Sequence, residues 1–128
     1  MTRANILFVD DDASVLQALM RRFRSLRREW AVMTAHGGPA ALELLETQAL
    51  DVVVTDMRMP GMDGLTLLGH VRAMQPHALR IILSGQMGPE SDTAPHVAHH
   101  HLTKPCDARE IIALIERHVV SCHQEATV

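Results

Sequence analysis

Short, continuously apolar segments recur along the chain, and each is followed by a polar residue or a turn signal. Continuous apolar runs that are rich in β-branched residues are typical of strands buried on both faces of a sheet. The run DVVVT is the clearest of them. The five predicted strands are Ile6–Val9, Trp30–Thr34, Asp51–Thr55, Ile81–Leu83 and His101–Thr103.

The segments between the strands place apolar residues at helical spacing. This pattern predicts a first helix at Ala13–Arg28 and a second helix that starts at Pro39, with Leu42, Leu45 and Ala49 on one side. It also predicts a helix at Leu65–Met74 and a last helix that Asp107 caps, with Ile111, Leu114, Ile115 and Val119 on one side. Residues 86–99 contain Gly88, Pro89 and Pro95 and show little apolar periodicity. We therefore expect the fourth of about five helices to be short or irregular there.

Strands and helices that alternate along 128 residues predict one α/β domain. We expect a flavodoxin-like, doubly wound parallel sheet of five strands in the order 2-1-3-4-5, covered by about five helices. The single domain would comprise residues 1–128, with its core at about 4–120. In such sheets ligands bind at the carboxyl ends of the strands, between strands 1 and 3.

Polar residues of opposite charge end these strands. They are Asp10, Asp11 and Asp12 after strand 1, Asp56 after strand 3, Ser84 after strand 4 and Lys104 after strand 5. Clustered carboxylates repel one another and favour a cation, and Mg²⁺ is the hard, oxygen-binding ion that suits them. A lysine and a hydroxyl beside such acids suit the oxygens of a phosphoryl group.

An aspartate at a strand end can also serve only to cap the next helix, and Asp12 and Asp107 fit that role. A single serine or lysine at a strand end is uninformative. The combination of acids, Asp56, Ser84 and Lys104 at the ends of four different strands indicates one shared site.

Four blocks of the sequence resemble a known family: ILFVDDD, DVVVTDMRMPGMDG, RIILSGQ and HLTKP. In order and spacing they are similar to the signature blocks of response-regulator receiver domains of two-component signalling, the CheY-like superfamily. The resemblance covers about residues 4–120. It implies a signalling domain that accepts a phosphoryl group from a donor, and not an enzyme that turns over a substrate.

The resemblance also implies roles for the residues that match the family's motifs. Asp56 would be the phosphoacceptor. Mg²⁺ would be held by Asp11 and Asp56 directly, by Asp10 through water, and by the backbone carbonyl of Arg58. Lys104 would contact the phosphoryl group.

The same resemblance implies a switch and a set of tuning residues. Ser84 would contact the phosphoryl group and move toward it, while an aromatic residue on strand 5 turns inward. This chain has His101 at that position, which would either act as the switch residue or simply pack there. Arg58 and Gln86 would tune the lifetime of the phosphate, and a cis peptide before Pro105 would position the preceding lysine.

The partners implied are a sensor histidine kinase or a histidine phosphotransfer protein, which such domains meet with their first helix. The arginines there form either a solvated face or part of that docking surface: Arg21, Arg22, Arg24, Arg27 and Arg28. The block VAHHHLTKPCD is similar to receivers that precede HD or HDOD output domains, so such a domain is a predicted partner. A homodimer through the fourth helix, strand 5 and the last helix is another.

Charge and composition exclude several other classes. The formal net charge of −3 and a pI near 6.3 argue against direct binding of nucleic acid or of an acidic membrane. No apolar run reaches the roughly 18 residues of a membrane span, and the N-terminus lacks the features of a signal peptide, so we expect a cytoplasmic chain.

Cys106 and Cys122 are not in CxxC spacing, and the neighbours His99, His100 and His101 on a strand would point to alternate faces. Neither set predicts a transition-metal site.

Two other functions stay open. The acids after strand 1 superficially resemble the nucleophile motif of a haloacid-dehalogenase-like phosphatase, although the late acidic pair of such enzymes does not follow Lys104. The irregular segment and His101 are compatible with an interaction module that works without phosphorylation. Residues Cys122–Val128 are too few for an output domain, so the chain is either a single-domain regulator or a piece of a longer protein.

Overall fold

The computed structural model describes residues 4–85, 97–104 and 106–126, with side chains described as far as Val119. Within these ranges the chain forms five strands and four helices. They are β1 (Asn5–Val9), α1 (Ala13–Leu26), β2 (Ala31–Ala35), α2 (Gly38–Thr47), β3 (Val52–Asp56), α3 (Gly64–Met74), β4 (Leu79–Ser84), β5 (His100–Thr103) and α4 (Ala108–Ala126). None of the helices in these ranges combines the length and the apolar character that crossing a membrane requires.

The strands form one parallel sheet in the order β2-β1-β3-β4-β5, so the predicted topology is confirmed. The register brings the carboxyl ends of the strands level with one another, because Val9 pairs with Thr55 and Ser84 pairs with Thr103. Residues that directly follow β1, β3, β4 and β5 therefore lie along one edge of the sheet. Hereafter this is the carboxyl edge.

Helices cover both faces of the sheet, and each face has its own core. α2 and α3 pack on one face, and α1 and α4 pack on the other. Because side chains alternate along a strand, β1 sends Leu7 and Val9 into the first core and Ile6 and Phe8 into the second. Burial on two sides explains why the strands are continuously apolar in sequence.

Some predicted boundaries were wrong. α2 ends at Thr47, so Ala49 lies beyond the helix and is exposed instead of on its apolar side. The side-chain amide of Gln75, from the end of α3, donates to the carbonyls of Leu45 and Gln48 and so binds the last turn of α2. β4 begins two residues earlier than predicted, at Leu79. The fourth predicted helix falls mainly on residues 86–96, which lie outside the described residues.

Candidate functional site

The predicted site residues of three strands come together at the carboxyl edge. Asp10 follows β1, Asp56 ends β3 and Lys104 follows β5. The ammonium nitrogen of Lys104 lies 3.0 Å from Oδ1 of Asp56 and 3.5 Å from Oδ2 of Asp10. The structure therefore unites residues from the two ends of the sequence in one charged cluster.

The turn between β1 and α1 contains Asp10, Asp11 and Asp12, which differ in their hydrogen bonds and in their burial. The Oδ1 atom of Asp12 accepts a hydrogen bond of 2.9 Å from the backbone N–H of Ser14, so Asp12 is the N-cap of α1, as predicted. The backbone N–H of Asp12 donates to Oδ1 of Asp10 at 3.0 Å, which fixes that carboxylate in the turn. Asp10 is buried and Asp11 is exposed.

Asp10, Asp11 and Asp56 each offer a carboxylate oxygen within 4.8 Å of the others. Among the described residues, this is the one such group of acids, histidines or cysteines. Burial, with a further contribution from the negative charge of Asp56, raises the pKa of Asp10 above its ordinary value, although the hydrogen bond from Asp12 and the charge of Lys104 oppose this. The site therefore disfavours the charged form of the Asp10 carboxylate.

Lys104 is held in the cluster by its backbone as well as by its charge. Its N–H donates to the carbonyl of Ser84 at 2.7 Å, which continues the pairing of β5 with β4. Burial by itself would lower the pKa of the Lys104 ammonium, but the hydrogen bond to Asp56 and the charges of Asp56 and Asp10 raise it above its ordinary value. The lysine is therefore firmly protonated at neutral pH.

A glycine permits the loop after Asp56 to fold back on the strand. The backbone N–H of Gly64 donates to the carbonyl of Met57 at 2.8 Å, and a side chain at position 64 would collide with the carbonyl oxygen of Asp56. Asp63 caps α3 by accepting a hydrogen bond of 2.8 Å from the N–H of Thr66. The start of α3 thus packs directly against the backbone of the central acid.

The other predicted site residues lie near the cluster or outside the described residues. Ser84 ends β4 and is buried, while Arg58 follows Asp56 by two residues and is exposed. His101 lies on β5 beside Ile82, half-buried, and both of its ring nitrogens are buried without a hydrogen-bond partner in the part of the chain described. Gln86 and Pro105, with the predicted cis peptide, lie outside the described residues.

Sequence reasoning missed two features of the site. One is the close approach of Gly64 to Asp56, for which the sequence offers only the turn signal Asp63-Gly64. The other is a groove of about 680 Å³ between α1 and the start of α4, with Lys104 in its wall. A groove between two helices depends on how they pack across the sheet, and no local pattern indicates it.

The strand order and the charged cluster at the β1–β3 switch point define the class of doubly wound, flavodoxin-like α/β proteins with a ligand site at the carboxyl edge. The family model "Response regulator receiver domain" matches residues 6–116. The chain belongs to this family and is a receiver domain of two-component response regulators, as its sequence blocks predicted.

A curated relative is the DNA-binding transcriptional regulator NtrC of Escherichia coli K12, which is 34% identical over 127 residues. The match covers 98% of this chain and 26% of that regulator, so the chain spans about a quarter of the length of this relative.

Two solved structures are similar over nearly their whole length. The signal receiver domain of an HD domain-containing protein from Pseudomonas fluorescens Pf-5 is 29% identical with a TM-score of 0.80, and the match covers 97% of this chain and 98% of that one. The response regulator TrrA of Thermotoga maritima, in complex with Mg²⁺ and BeF, is 26% identical with a TM-score of 0.80. That match covers 92% of this chain and 99% of the other.

Proposed function

We propose that Asp56 accepts a phosphoryl group and that the chain is a phosphorylation-dependent signalling switch. The observation that carries this proposal is the position of the Lys104 ammonium, 3.0 Å from Oδ1 of Asp56 beside two further acids. Aspartyl-phosphate chemistry needs a nucleophilic carboxylate, a fixed cation next to it and ligands for a metal ion. All of these groups converge at the carboxyl edge.

Mg²⁺ is the cofactor that fits this donor set. Asp10, Asp11 and Asp56 supply oxygen ligands only, and the exposure of Asp11 leaves room for the water that Mg²⁺ keeps. The backbone carbonyl of Arg58 is the proposed further ligand. When bound, the ion offsets the repulsion among the acids and stabilises negative charge on the phosphoryl oxygens. The raised pKa of Asp10 supports a site that is completed by a cation.

In the transfer step, a carboxylate oxygen of Asp56 uses a lone pair to form a bond to phosphorus. The bond from phosphorus to the donor atom breaks, and its electron pair leaves with the donor. Lys104 stays protonated and donates to a phosphoryl oxygen, and the hydroxyl of Ser84 donates to another. In hydrolysis, water forms the new bond to phosphorus and loses a proton to solvent, while the bond from phosphorus to the Asp56 oxygen breaks and its electron pair returns to the carboxylate. Arg58 and Gln86 would shape the path of that water.

The switch would respond to the charge that phosphorylation adds, about −1.5 to −2. Ser84 lies at the end of β4 and pairs with Thr103 of β5, so a movement of Ser84 toward the phosphate would also displace β5. We propose His101 as the residue that takes the place of the family's aromatic switch. Its ring nitrogens are buried and have no hydrogen-bond partner among the described residues, which supports two competing positions of the ring, since water would satisfy them only in an outward position.

The groove beside Lys104 is the proposed docking site for a histidine kinase or a phosphotransfer protein. Its lining is mainly apolar and comes from α1, the end of β4 and the start of α4. The residues concerned include Val15, Ala18, Leu19, Leu83 and Ala108. A partner helix in this groove would lie next to the Lys104–Asp56 pair, which is where a phosphohistidine must be presented. Arg22, which also lines the groove, supplies a positive charge to the contact.

The state of Asp56 would be read by an output domain or a partner protein. An HD or HDOD output domain stays a proposal, supported by the structural similarity to the receiver of an HD domain-containing protein. The relative NtrC is a DNA-binding regulator, so a DNA-binding output is an alternative. We also propose a cytoplasmic location. A homodimer through β5, α4 and the segment that precedes β5 is one proposed form of output.

The test uses acetyl phosphate and Mg²⁺ as donor and cofactor, with intact-mass measurement of the product. We expect the parent to gain one phosphoryl group, Asp56→Asn to gain none, and Asp51→Asn to behave like the parent. Asp51 is a suitable control because it precedes β3 and lies at the opposite edge of the sheet.

Modification of Asp56→Asn at the parent's rate would overturn the assignment. A parent that is never modified would favour the phosphorylation-independent interaction module. Turnover of a phosphate ester that survives in Asp56→Asn but is lost in Asp10→Asn would favour the phosphatase alternative.

A further inference from the structure

The start of β5 is joined to β4 by reciprocal hydrogen bonds between two residues. The backbone N–H of His99 donates to the carbonyl of Arg80 at 2.8 Å. In return, the backbone N–H of Arg80 donates to the ring atom Nδ1 of His99 at 3.0 Å. An imidazole therefore takes the place of a backbone carbonyl in the ladder at this point. We call this pair of contacts the His99–Arg80 latch.

The side chain of Arg80 forms further hydrogen bonds in the same region. Arg80 is buried, with 7% of its surface exposed. Its guanidinium donates to the carbonyl of Val97, just before the latch, and to the carbonyls of Pro76 and Ala78 at 3.3 and 3.4 Å. Within the described residues, its partners are these neutral carbonyls and no carboxylate. The positive charge next to His99 is therefore not offset by a described acid.

The latch requires a neutral imidazole. Nδ1 can accept a hydrogen bond only while it carries no proton, so the single ring proton must be on Nε2. A proton on Nδ1 would set two N–H groups against each other and leave the amide of Arg80 without its acceptor. Because His99 is exposed, protons from solvent reach the ring readily.

Among the residues that the structure describes, the charged groups that act on His99 are all basic. They are Arg80 on β4, His100 on β5 and His118 on α4. Arg117 and His118 of α4 also face His100, and Arg72 acts on Arg80. Although much of the side chain is exposed, part of the imidazole is shielded from solvent, and this partial burial first, and then these charges, lower the pKa of His99 below its ordinary value of 6.5.

We propose that His99 is a pH-sensitive latch, which holds the start of β5 against β4 while the imidazole is neutral and releases it when the imidazole is protonated. The other end of β5 is held separately, by the bond from the Lys104 N–H to the Ser84 carbonyl. Acid would therefore loosen β5 from the end remote from the charged cluster. Strand β5 is the last strand of the sheet and, among the described strands, pairs with β4 alone.

The sign of the effect follows from the lowered pKa. The unfolded or released chain binds the proton more readily than the latched chain, so the latch is fully effective above about pH 6.5 and is lost as the pH falls toward the lowered value. The proposal does not depend on phosphorylation. The same behaviour is expected in Asp56→Asn, so failure of the proposed function would leave it intact.

The test measures hydrogen exchange of the Arg80 amide by NMR from about pH 8 to about pH 5, the range in which histidines titrate, after correction for intrinsic exchange. We expect its protection to fall about fivefold to tenfold toward acid in the parent, as for the loss of one hydrogen bond. His99→Asn should abolish this dependence, because Oδ1 of asparagine can accept in place of Nδ1 and does not titrate. His70→Asn, on α3, should leave the dependence as in the parent.

A second measurement keeps the test independent of the variant's fold. The ring ¹⁵N shifts of the parent at about pH 8, above the range of histidine titration, should identify Nδ1 of His99 as the unprotonated atom. A proton on Nδ1 under these conditions would overturn the proposal. So would protection of Arg80 that does not change with pH in the parent, or an equal acid loss in His99→Asn.

Discussion

The Lys104 ammonium lies 3.0 Å from Oδ1 of Asp56, although the two residues are 48 positions apart in sequence. Strand β4 separates the strands that carry them, so Lys104 reaches across the end of β4 to Asp56. The contact therefore depends on the register of three strands. A slip of one residue in β5 would turn its side chains to the opposite face and remove the ammonium from the cluster.

Lys104 is the only lysine in the sequence, which makes its charge directly measurable. We expect its pKa to lie above the ordinary value of 10.5 in the parent, because Asp56 and Asp10 favour the ammonium more than burial opposes it. In Asp56→Asn the pKa should fall, since burial then acts against fewer negative charges. NMR titration of the lysine Cε and Nζ shifts measures both values. An unchanged pKa in Asp56→Asn would contradict the ion pair.

Asp10→Asn tests the electrostatic cost of the acidic cluster. Because the fold raises the pKa of Asp10, the charged form destabilises the native state at neutral pH, and this cost disappears as the pH falls through the raised pKa. We expect Asp10→Asn to be more stable than the parent by roughly 1 kcal/mol at neutral pH without divalent ions, with the gain shrinking toward acid. Asn Oδ1 can keep the bond to the Asp12 N–H.

The free energy of unfolding of the parent and of Asp10→Asn is measured by urea denaturation, first in EDTA and then in Mg²⁺. Mg²⁺ should stabilise the parent by mass action and stabilise Asp10→Asn less, because one proposed ligand is altered. Asp12→Asn is the control, since it removes an exposed charge and keeps the N-cap of α1. An Asp10→Asn variant less stable than the parent in EDTA would contradict the predicted repulsion.

Gly64→Ala should be destabilising by about 1–3 kcal/mol, because the new Cβ would collide with the carbonyl of Asp56 and the backbone cannot move aside cheaply. It should also slow phosphorylation, since any relief of the collision displaces Asp56. Gly69→Ala on the same helix is the matched control. Apart from the helix itself, no atom of the described residues lies within 4 Å of a Cβ added there, so helix propensity alone should make it neutral or stabilising by about 0.5–1 kcal/mol. Equal effects of the two changes would contradict the close approach.

Much of the site follows from sequence because parallel strands end at one edge. Asp10, Asp56 and Lys104 each follow a recognisable apolar run, so the topology brings them together without detailed packing information. The same reasoning could not place the end of α2, which is bound by Gln75, a residue 27 positions from Gln48. Nor could it find the His99–Arg80 latch, because that contact depends on the exact pairing of β4 and β5.

Cys106 should be a poorly reactive thiol, although it lines the groove beside Lys104. Burial, together with the hydrogen bond to Glu110 at 3.3 Å and its charge, raises the pKa of Cys106 to about 11. In a Cys122→Ser background, disulfide-reagent labelling should therefore be slow at neutral pH and accelerate toward pH 11. Glu110→Gln should speed it at neutral pH. Rapid labelling of the Cys122→Ser protein at neutral pH would refute the shielding of Cys106.

Ala18→Glu tests whether the groove between α1 and α4 receives the phosphodonor. Ala18 is exposed and lines the groove, and glutamate is a good helix former, so α1 should fold while its side chain obstructs the groove. We expect phosphorylation by a histidine kinase or phosphotransfer protein to fall at least about tenfold, a loss typical of an obstructed interface centre. Labelling by acetyl phosphate should be unchanged, because that small donor needs no groove. Ala73→Glu, at an exposed position of α3, should alter neither reaction. Equal loss with both donors would place the defect at Asp56 instead of at docking.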